Sequence, residues 1–570
     1  MKKLMLYVVL MLMGHFAIGQ NPLFIPDTLS GTNINLTLQN GTHQFFTGTT
    51  TNTMGANGNI LGPTLLLNQG DVVNFSVNSQ ISDSTTIHWH GMHVSPENDG
   101  GPHTVIPPNT TWQPSFEIMD KAATYWYHPH LHHHTDKHVS KGIAGQIWVR
   151  DSEEAALNLP RTYGIDDIPL VIQTKAFDAN NQILHHSNSD DVLMVNATMD
   201  ATFDAPEQVV RFRILNGSSQ RIFNLGLTNN KAFYQIASDG GLLSAPVNLT
   251  RLKLSPGERA EILIDFSGMS GQTIHLKSFA SELSNGNYGA TNPGMGQGMT
   301  MTGYNPNPLN GTDFDILEFN VINATANAVT TIPTALANVT PIPASNATIT
   351  RNLTFTPIQM GMNALNNGFL INNQSFDMGV INYSIPLGSV EIWSLTNQSP
   401  IAHPFHIHDV QFYILDINGA APPANMQGRK DVVLVPAQQT VRFIAAFETF
   451  SSDTVPYMYH CHMLKHEDEG MMGQFLVIDT TSTNTSQFLL DDEVLIYPNP
   501  TTTQLNIRLK NENNAIENIQ VTDVLGRVVY TENDLNTNVA IINTQGLSSG
   551  MYHVFIKTKD GIYTGKVVKQ

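Results

Sequence analysis

The sequence has a single cysteine, Cys461, among 570 residues, so no intramolecular disulfide can form. Stability must therefore come from hydrophobic cores and from any bound metal. Charged residues make up only 13% of the chain, and the net charge is −19. An acidic chain lacks the basic face that nucleic-acid binding requires. We therefore expect no nucleic-acid partner.

Long apolar runs are also missing. A membrane-spanning helix needs about 20 consecutive apolar residues, and the chain has no such run, so we expect no membrane span. At the N-terminus, Lys2 and Lys3 precede a short apolar run at residues 4–13, and the small residues Ala17 and Gly19 follow. This order is typical of a secretory signal. We predict a signal peptide at residues 1–20 and an exported mature chain, periplasmic in transit and then secreted or on the cell surface.

Helical periodicity is scarce as well. From about Asn33 onward, short apolar runs are broken by glycine, asparagine and proline. Val73, Phe75 and Val77 alternate with polar residues, as the side chains of a half-buried strand do. The sequence therefore predicts an all-β fold built from sandwiches.

One strand-like segment recurs three times, and two of its copies are followed by a His-x-His pair. The copies span residues 70–78, 207–216 and 388–397, and the pairs are His88/His90 after the first and His406/His408 after the third. Such self-similarity indicates repeated structural units. The middle copy leads to no histidine pair.

A second repeated segment lies near the end of the first unit and of the last unit. Residues 125–130 resemble residues 457–462, and Pro129 stands where the later copy has Cys461. We infer three related β-sandwich domains at about 21–150, 151–330 and 331–480. A polar linker at 481–492 and a small separate domain at 493–570, with short strands and no histidine cluster, complete the chain.

Cys461 lies between His460 and His462 in one extended stretch. Side chains alternate between the two faces of a strand, so the cysteine points one way and both imidazoles point the other way. One short strand would then serve two metal sites. His466 and Met471 follow five and ten residues after the cysteine.

One cysteine, two histidines and a weak axial methionine form the ligand set of a blue-copper electron-transfer centre. The second histidine has to come from elsewhere in the chain, and His403 is the candidate. It precedes His406 by three residues, so strand parity directs the two side chains to opposite faces. His403 would then face Cys461.

Four His-x-His pairs are present, at residues 88/90, 128/130, 406/408 and 460/462. Residues i and i+2 of a strand share a face, so each pair can offer two imidazoles to one place. Eight imidazoles exceed the need of one copper but suit three coppers between two domains. We expect His132, His133, His134 and His138 to be mostly solvated, with one or two of them close to the ligands.

With these motifs, residues 30–480 resemble a three-domain multicopper oxidase, with motifs similar to those of bacterial laccases and copper-efflux oxidases. The resemblance implies three cupredoxin-like Greek-key β-sandwiches and four copper ions. It implies a type 1 copper held by His403, Cys461 and His466 with Met471 axial, a type 2 copper held by His88 and His406, and a type 3 pair held by His90, His128, His130, His408, His460 and His462. Met472 is the rival for the axial position.

The family also has carboxylates that serve the protons consumed in oxygen reduction. Asp99 and Glu467 occupy the matching positions. Asp99 precedes Gly100, so an ordinary turn residue is the alternative interpretation of this aspartate.

The resemblance implies one-electron oxidation of a small-molecule or metal-ion donor at the Cys461–His466 site, coupled to reduction of dioxygen to water. Copper-efflux oxidases carry an acid and a methionine where this chain has Ser399 and Ile401, although Asp377 matches another such position. Phenolic or aromatic donors are therefore our first expectation. Oxidation of Cu(I), Fe(II) or Mn(II) is the alternative.

Two further classes of protein are alternatives. A copper nitrite reductase shares the blue centre but lacks the four histidine pairs, and a copper-free envelope scaffold of the same fold would be expected to lose ligands. The methionines near residues 294–303, with Met360 and Met362, fit a flexible loop or core positions more readily than a metal-binding segment. We expect a monomer.

The last domain resembles the C-terminal sorting domain of type IX secretion. The likeness rests on Tyr497-Pro-Asn-Pro and on the turn at Gly526-Arg527. It implies contact with the type IX machinery, export across the outer membrane and a tail that can be removed.

Overall fold

The computed structural model describes residues 21–294, 299–301, 304, 306–361, 364–479, 494–511, 514–523, 527–559 and 561–570. The predicted signal peptide and the predicted linker lie outside these residues. The chain divides into two compact units, one ending at Ile478 and the other beginning at Asp479. No helix in the described ranges is long and apolar enough to cross a membrane.

The first sandwich of the larger unit consists of two five-stranded sheets. One sheet has the order Thr28–Ser30, Thr64–Asn68, Gly145–Arg150, Ala123–His128 and His88–His90; the other has Thr49–Ala56, Asn33–Phe46, Val72–Ser79 and Thr111–Trp112, with Ser115–Glu117 also pairing to Val72–Ser79. Ile34 and Leu36 from one sheet meet Leu65 and Leu67 from the other in a common core. Alternate residues of these strands are apolar, which is why each sheet buries one face.

The second sandwich packs a six-stranded sheet on a seven-stranded sheet. The first has the order Asn21–Pro22, Ala201–Pro206, Phe314–Ile322, Thr273–Ser278, Phe223–Leu227 and Leu252–Leu254; the second has Ile183–Leu184, Asp167–Phe177, Val209–Asn216, Arg259–Asp265, Phe233–Ser238 and Gly241–Leu249, with Val192–Val195 paired to Asp167–Phe177. Phe212, Phe266 and Phe319 pack together in its core. The short Asn21–Pro22 strand thus joins this sandwich and not the first.

The third sandwich carries the Cys461 stretch. One sheet has the order Phe369–Ile371, Ile349–Pro357, Ser389–Asn397, Thr440–Phe447 and Tyr413–Ile417; the other has Tyr383–Pro386, Met472–Ile478, Tyr457–Cys461, His403–Ile407 and Val432–Val435. Tyr288, Met301 and Tyr304 pack into its core although they precede its predicted start. The predicted boundaries between the sandwiches stay predictions.

Helices are short and few among the described residues. The α-helices are Thr135–Lys141, Ser152–Ala155 and Leu464–Asp468, and the 3-10 turns are Thr228–Asn230, Ala280–Glu282, Ala344–Asn346, Ala364–Asn366 and Ala424–Met426. Two of the α-helices follow histidine motifs directly, at residues 128–130 and 460–462.

The smaller unit is a sandwich of a three-stranded and a four-stranded sheet. The first has the order Val494–Tyr497, Gln504–Leu509 and Val539–Asn543, and the second has Val528–Glu532, Ile516–Asp523, Gly550–Thr558 and Gly561–Lys569. Leu505, Ile507, Val554 and Ile556 contribute to its own core. The prediction of an all-β chain with three sandwiches and a small C-terminal one is confirmed.

Candidate metal centre

The Cys461 side chain meets two imidazoles inside the third sandwich. Its strand pairs antiparallel with His403–Ile407, which sets Phe405 opposite Cys461. The Cys461 sulfur lies 3.5 Å from His403 Nδ1 and 3.7 Å from His466 Nδ1. All three residues are buried. The structure thus brings together the cysteine and the two histidines that sequence spacing singled out.

Backbone hydrogen bonds connect Met471 to both His466 and Cys461. His466 lies on the helix Leu464–Asp468, its carbonyl accepts a hydrogen bond from Met471 N at 2.8 Å, and the Met471 carbonyl accepts one from Cys461 N at 3.0 Å. Met471 is fully buried in the same core cluster as Cys461, whereas Met472 begins the next strand and lies outside that cluster. The packing favours Met471 over Met472 as the axial group.

The His403 ring is held in one orientation. Its Nε2–H donates to Ser399 Oγ at 2.8 Å, and that hydroxyl donates to the Ile401 carbonyl at 2.9 Å. The proton therefore sits on Nε2, and the Nδ1 lone pair faces the Cys461 sulfur. Phe369 packs on the ring with centroids 4.6 Å apart.

Burial affects both partners of this contact. It lowers the pKa of His403 to about 3 and raises the pKa of the Cys461 thiol. Without a cation, the pair would be a neutral imidazole and a neutral thiol. A thiolate with two imidazoles and a nearby thioether is a donor set that copper prefers, so these residues fit a copper ion.

The eight paired imidazoles converge between the first and third sandwiches. Register places His128 opposite His88 in one sheet and His460 opposite His406 in the other. Rings from the two sandwiches then stack: His88 lies on His408 with centroids 3.8 Å apart, and His90 lies on His406 at 3.7 Å. All eight rings are buried.

Their nitrogens form two triplets and a pair. In one triplet, His90 Nδ1 lies 3.3 Å from His128 Nε2 and 3.3 Å from His462 Nε2. In the other, the Nε2 atoms of His130, His408 and His460 lie 3.0, 3.2 and 3.4 Å apart. The remaining pair is His88 and His406, whose Nε2 atoms are buried without a hydrogen-bond partner.

In six of the eight rings, the nitrogen that points away from the cluster donates a hydrogen bond of 2.7–3.1 Å. Four of these bonds go from Nδ1 to a backbone carbonyl: His88 to Asp99, His406 to Asp431, His128 to Pro129 and His460 to Cys461. The other two go to carboxylates, from His408 Nδ1 to Asp99 Oδ2 and from His90 Nε2 to Asp431 Oδ1. Such contacts fix the tautomer of metal-binding histidines. The inner nitrogens of these rings therefore present lone pairs.

Facing lone pairs at 3.0–3.4 Å repel each other unless a proton or a metal ion lies between them. Protonation is disfavoured, because burial lowers the pKa of His130 and His460 to about 3, and burial with neighbouring histidines holds that of His90 and His408 well below its usual value. Imidazole is a good ligand for copper. The geometry of the eight rings therefore fits a cluster of metal ions.

Two buried carboxylates lie beside this cluster. Asp99 Oδ2 is 2.7 Å from His408 Nδ1, and its Oδ1 has no hydrogen-bond partner. Glu467 lies 3.4 Å from His130 Nδ1 and 3.2 Å from His460 Nδ1. Burial raises the pKa of Glu467 to about 7. Both acids thus contact histidines of the cluster, and the choice between a functional and a turn role for Asp99 stays a prediction.

Two residues of the site escaped sequence reasoning. Asp431 contacts His90 and His406, and Arg259 from the second sandwich pairs with it through Nη1–Oδ1 at 2.6 Å and Nη2–Oδ2 at 2.5 Å. All of these side chains are fully buried. The available signal was Asp431 standing directly before the apolar strand Val432–Val435 in a chain poor in charge.

The four histidines after residue 130 differ in exposure. His133 is exposed, and His132 and His134 are half-buried. His138 is fully buried, one exception within an expectation of mostly solvated histidines. It lies on the inner side of the helix Thr135–Lys141, against the first sandwich.

The methionine segment is only partly described. Met295 and Met362 lie outside the described residues. Met299 and Met301 pack on the core of the third sandwich, as the core interpretation predicts, and Met360 is 80% exposed.

Three sandwiches with a buried Cys–His group and a convergent cluster of eight imidazoles define a class of proteins, the cupredoxin-fold metalloproteins. Residues 37–154 and 338–481 match sequence profiles described as "Multicopper oxidase", and residues 495–570 match "Secretion system C-terminal sorting domain".

Known proteins resemble this chain over about 80% of its length. "Multicopper oxidase mco" of Staphylococcus haemolyticus (strain JCSC1435) is 33% identical over 480 residues, covering 80% of this chain and 93% of the relative. "Cell division protein FtsP" of Sodalis glossinidius (strain morsitans) is 31% identical over 453 residues, covering 78% and 88%. The laccase-like multicopper oxidase CueO of Ochrobactrum sp. superposes with a TM-score of 0.70 at 33% identity, covering 80% of this chain and all of that one. The chain belongs to the multicopper oxidase family.

Proposed function

We propose that the protein is an oxidase that couples one-electron oxidation of a reducing donor to four-electron reduction of dioxygen to water. The observation that carries this proposal is the grouping of buried donor atoms. Cys461 belongs to the buried Cys–His group, and its two neighbours in the sequence, His460 and His462, belong to the eight-imidazole cluster. A relative described as a cell division protein is 31% identical to this chain, so family membership alone does not distinguish an oxidase from a protein with another role. The buried donor set of this chain supports the oxidase.

Four copper ions match the four groups of donors. His403, Cys461, His466 and Met471 would hold the type 1 copper, and His88 and His406 would hold the type 2 copper. The unpartnered Nε2 atoms of the latter two support this choice. The two type 3 ions are assigned to the triplets His90, His128 and His462, and His130, His408 and His460.

Bound copper would supply the one-electron chemistry at the Cys461 site and dioxygen reduction at the imidazole cluster. The protein contributes the connection between them. Cys461 is bonded through its backbone to His460 and His462, and alternation of side chains sends the sulfur and the two rings to opposite faces of one strand. The covalent path from donor site to cluster is therefore as short as a polypeptide allows.

The two acids beside the cluster are assigned to proton delivery. Asp99 touches His408 and Glu467 touches His130 and His460, so each can hold a proton next to the place where oxygen is reduced. Asp99→Asn keeps the shape and removes the acid. We expect about 100-fold slower oxygen reduction with an unchanged blue absorbance. Equal turnover of wild type and variant would reject the role.

The decisive experiment measures copper content and the visible spectrum of the purified protein beside Cys461→Ser. The oxidase proposal expects about four coppers per chain and an intense blue band in the wild type. Cys461→Ser should lose the band and one copper while it keeps the other three. Two coppers per chain would indicate a nitrite-reductase-like protein, and none would indicate a scaffold.

Phenolic or aromatic compounds are the proposed donors. Ile358 and Met360 are 51% and 80% exposed, and Ile358 N donates to the Gly368 carbonyl next to Phe369, whose ring packs 4.6 Å from His466. Apolar side chains thus lie at the surface near the buried His466 and suit an apolar donor. The Ochrobactrum relative is described as active towards lignin model compounds, which supports the same choice.

A metal-ion oxidase is the second candidate, favoured by the exposed thioether of Met360, a ligand that suits Cu(I). Parallel assays with a phenol, Cu(I), Fe(II) and Mn(II) separate the two. Rapid metal oxidation without phenol turnover would reverse the ranking.

The C-terminal domain supports secretion by the type IX pathway, after the signal peptide has directed the chain out of the cytoplasm. We place the mature enzyme outside the cell or on its surface. Deleting residues 495–570 should leave the protein in the periplasm. Unchanged secretion of the truncated chain would contradict this assignment.

A further inference from the structure

A second group of metal-binding side chains lies apart from the twelve proposed copper ligands. His134 precedes the helix Thr135–Lys141, and His138 follows one turn later, on the same face. Asp83 comes from the segment after the strand Val72–Ser79. One potential ligand atom from each of the three residues lies within 4.8 Å of the others.

His138 is fully buried, and its two ring nitrogens have different surroundings. Nδ1 lies 3.1 Å from Thr85 Oγ1, and the Thr85 hydroxyl donates to the Thr86 carbonyl at 3.3 Å. Nδ1 is therefore the donor towards Thr85, and Nε2 carries a lone pair. Nε2 has no hydrogen-bond partner and lies 3.6 Å from Asp83 Oδ2, beyond hydrogen-bond distance.

A lone pair that faces a carboxylate is unfavourable unless a cation lies close to both. His138 itself does not supply the charge, because burial and the neighbouring His134 lower its pKa to about 4. His134 adds a second buried ring nitrogen, Nδ1, without a hydrogen-bond partner. Lys137 Nζ lies 2.5 Å from Asp83 Oδ2 and offsets the charge of the carboxylate. It leaves His134 Nδ1 and His138 Nε2 without a hydrogen-bond partner.

We propose that Asp83, His134 and His138 bind a divalent transition-metal ion, Zn²⁺ or Cu²⁺, at a site separate from the copper centres. Two imidazoles and one carboxylate form a donor set that both ions accept. Asp83 has a side chain 30% exposed, so solvent can reach the metal and complete its coordination. Lys137 competes with the metal for the same carboxylate oxygen.

The site has a structural connection to the catalytic region. Asp468 accepts hydrogen bonds from the backbone nitrogens of Thr135 and Asp136, both at 3.0 Å. The helix that would hold the metal is thereby tied to the end of the helix that carries His466 and Glu467. A ligand that binds only the folded state raises the melting temperature, so metal binding should stabilise this corner of the protein.

The test uses the full-length, copper-loaded protein and Zn²⁺ as the probe. Equilibrium dialysis followed by elemental analysis gives zinc bound per chain and its Kd. Wild type should bind one zinc more than His134→Gln or Asp83→Asn, each of which should weaken binding about tenfold or more. Both positions are partly exposed, so these variants should fold.

Two further variants sharpen the result. Lys137→Met removes the competing ammonium and should tighten zinc binding several-fold, whereas His185→Gln, an exposed histidine outside the cluster, should bind as wild type does. The melting temperature of wild type should rise with zinc and that of His134→Gln should not. Equal zinc binding by wild type and His134→Gln, or an unaltered Kd in Lys137→Met, would overturn the proposal whatever the copper content.

Discussion

His93 ties the first sandwich to the third through a contact that should make stability depend on pH. Its Nδ1 lies 2.8 Å from Asp409 Oδ1, and its backbone nitrogen donates to Asp120 at 3.1 Å. Burial alone lowers the pKa of His93, but Asp409 and then Asp120 raise it from 6.5 to about 9. That rise corresponds to about 3 kcal/mol of stabilisation.

The sign follows from the two pKa values. Because the folded-state pKa of His93 exceeds the unfolded value, its contribution is fully present below pH 6.5 and disappears as pH rises through about 9. Burial raises the pKa of Asp409 to about 6, so the contact is tested above pH 6.5, where Asp409 is ionised.

The perturbation is His93→Gln. We expect wild type to exceed the variant by about 2–3 kcal/mol near pH 6.5 and the difference to close by about pH 9.5. Urea denaturation of the copper-loaded protein at a series of pH values measures it, with the exposed His185→Gln as the control. A difference that stays constant from pH 6.5 to 9.5 would refute the charged-histidine explanation.

The other predictions concern groups that hold the ligands in place. Asp431→Asn leaves the buried Arg259 without its main partner and should cost about 3–5 kcal/mol, with loss of copper at the cluster; wild-type stability in urea would contradict this. Ser399→Ala removes the acceptor of His403 Nε2–H and should cost about 1–3 kcal/mol and shift the blue band and its reduction potential. Ser399→Thr keeps the hydroxyl and should restore both, and a spectrum unchanged in the alanine variant would exclude a positioning role.

Strand alternation let the sequence predict much of this site. The rule that neighbours point to opposite faces separated Cys461 from His460 and His462, and parity separated His403 from His406. The structure has this arrangement, with His403 Nδ1 against the sulfur and His460 Nε2 against His130. Such predictions succeed because they need only local geometry within one strand.

Contacts between distant segments could not be predicted in the same way. Arg259 and Asp431 are 172 residues apart and meet only because two sandwiches pack together. His138 shows the same limit, since the sequence predicted mostly solvated histidines after residue 130 and only the tertiary fold reveals that this side chain is covered. The position of Asp431 directly before an apolar strand suggests that it is buried, but nothing in the local sequence identifies Arg259 as its partner or shows that His138 is covered.

The second sandwich, which lacks histidine pairs, still contributes to the metal centre. Arg259 donates from Nε to the Thr124 carbonyl of the first sandwich at 3.0 Å and from its Nη atoms to Asp431 of the third. One guanidinium therefore contacts both the first and the third sandwich, between which the eight imidazoles lie. Because a fully buried ion pair adds little net stability compared with apolar packing, its value lies in geometry. It fixes Asp431, and thereby the rings of His90 and His406, at the junction of all three sandwiches.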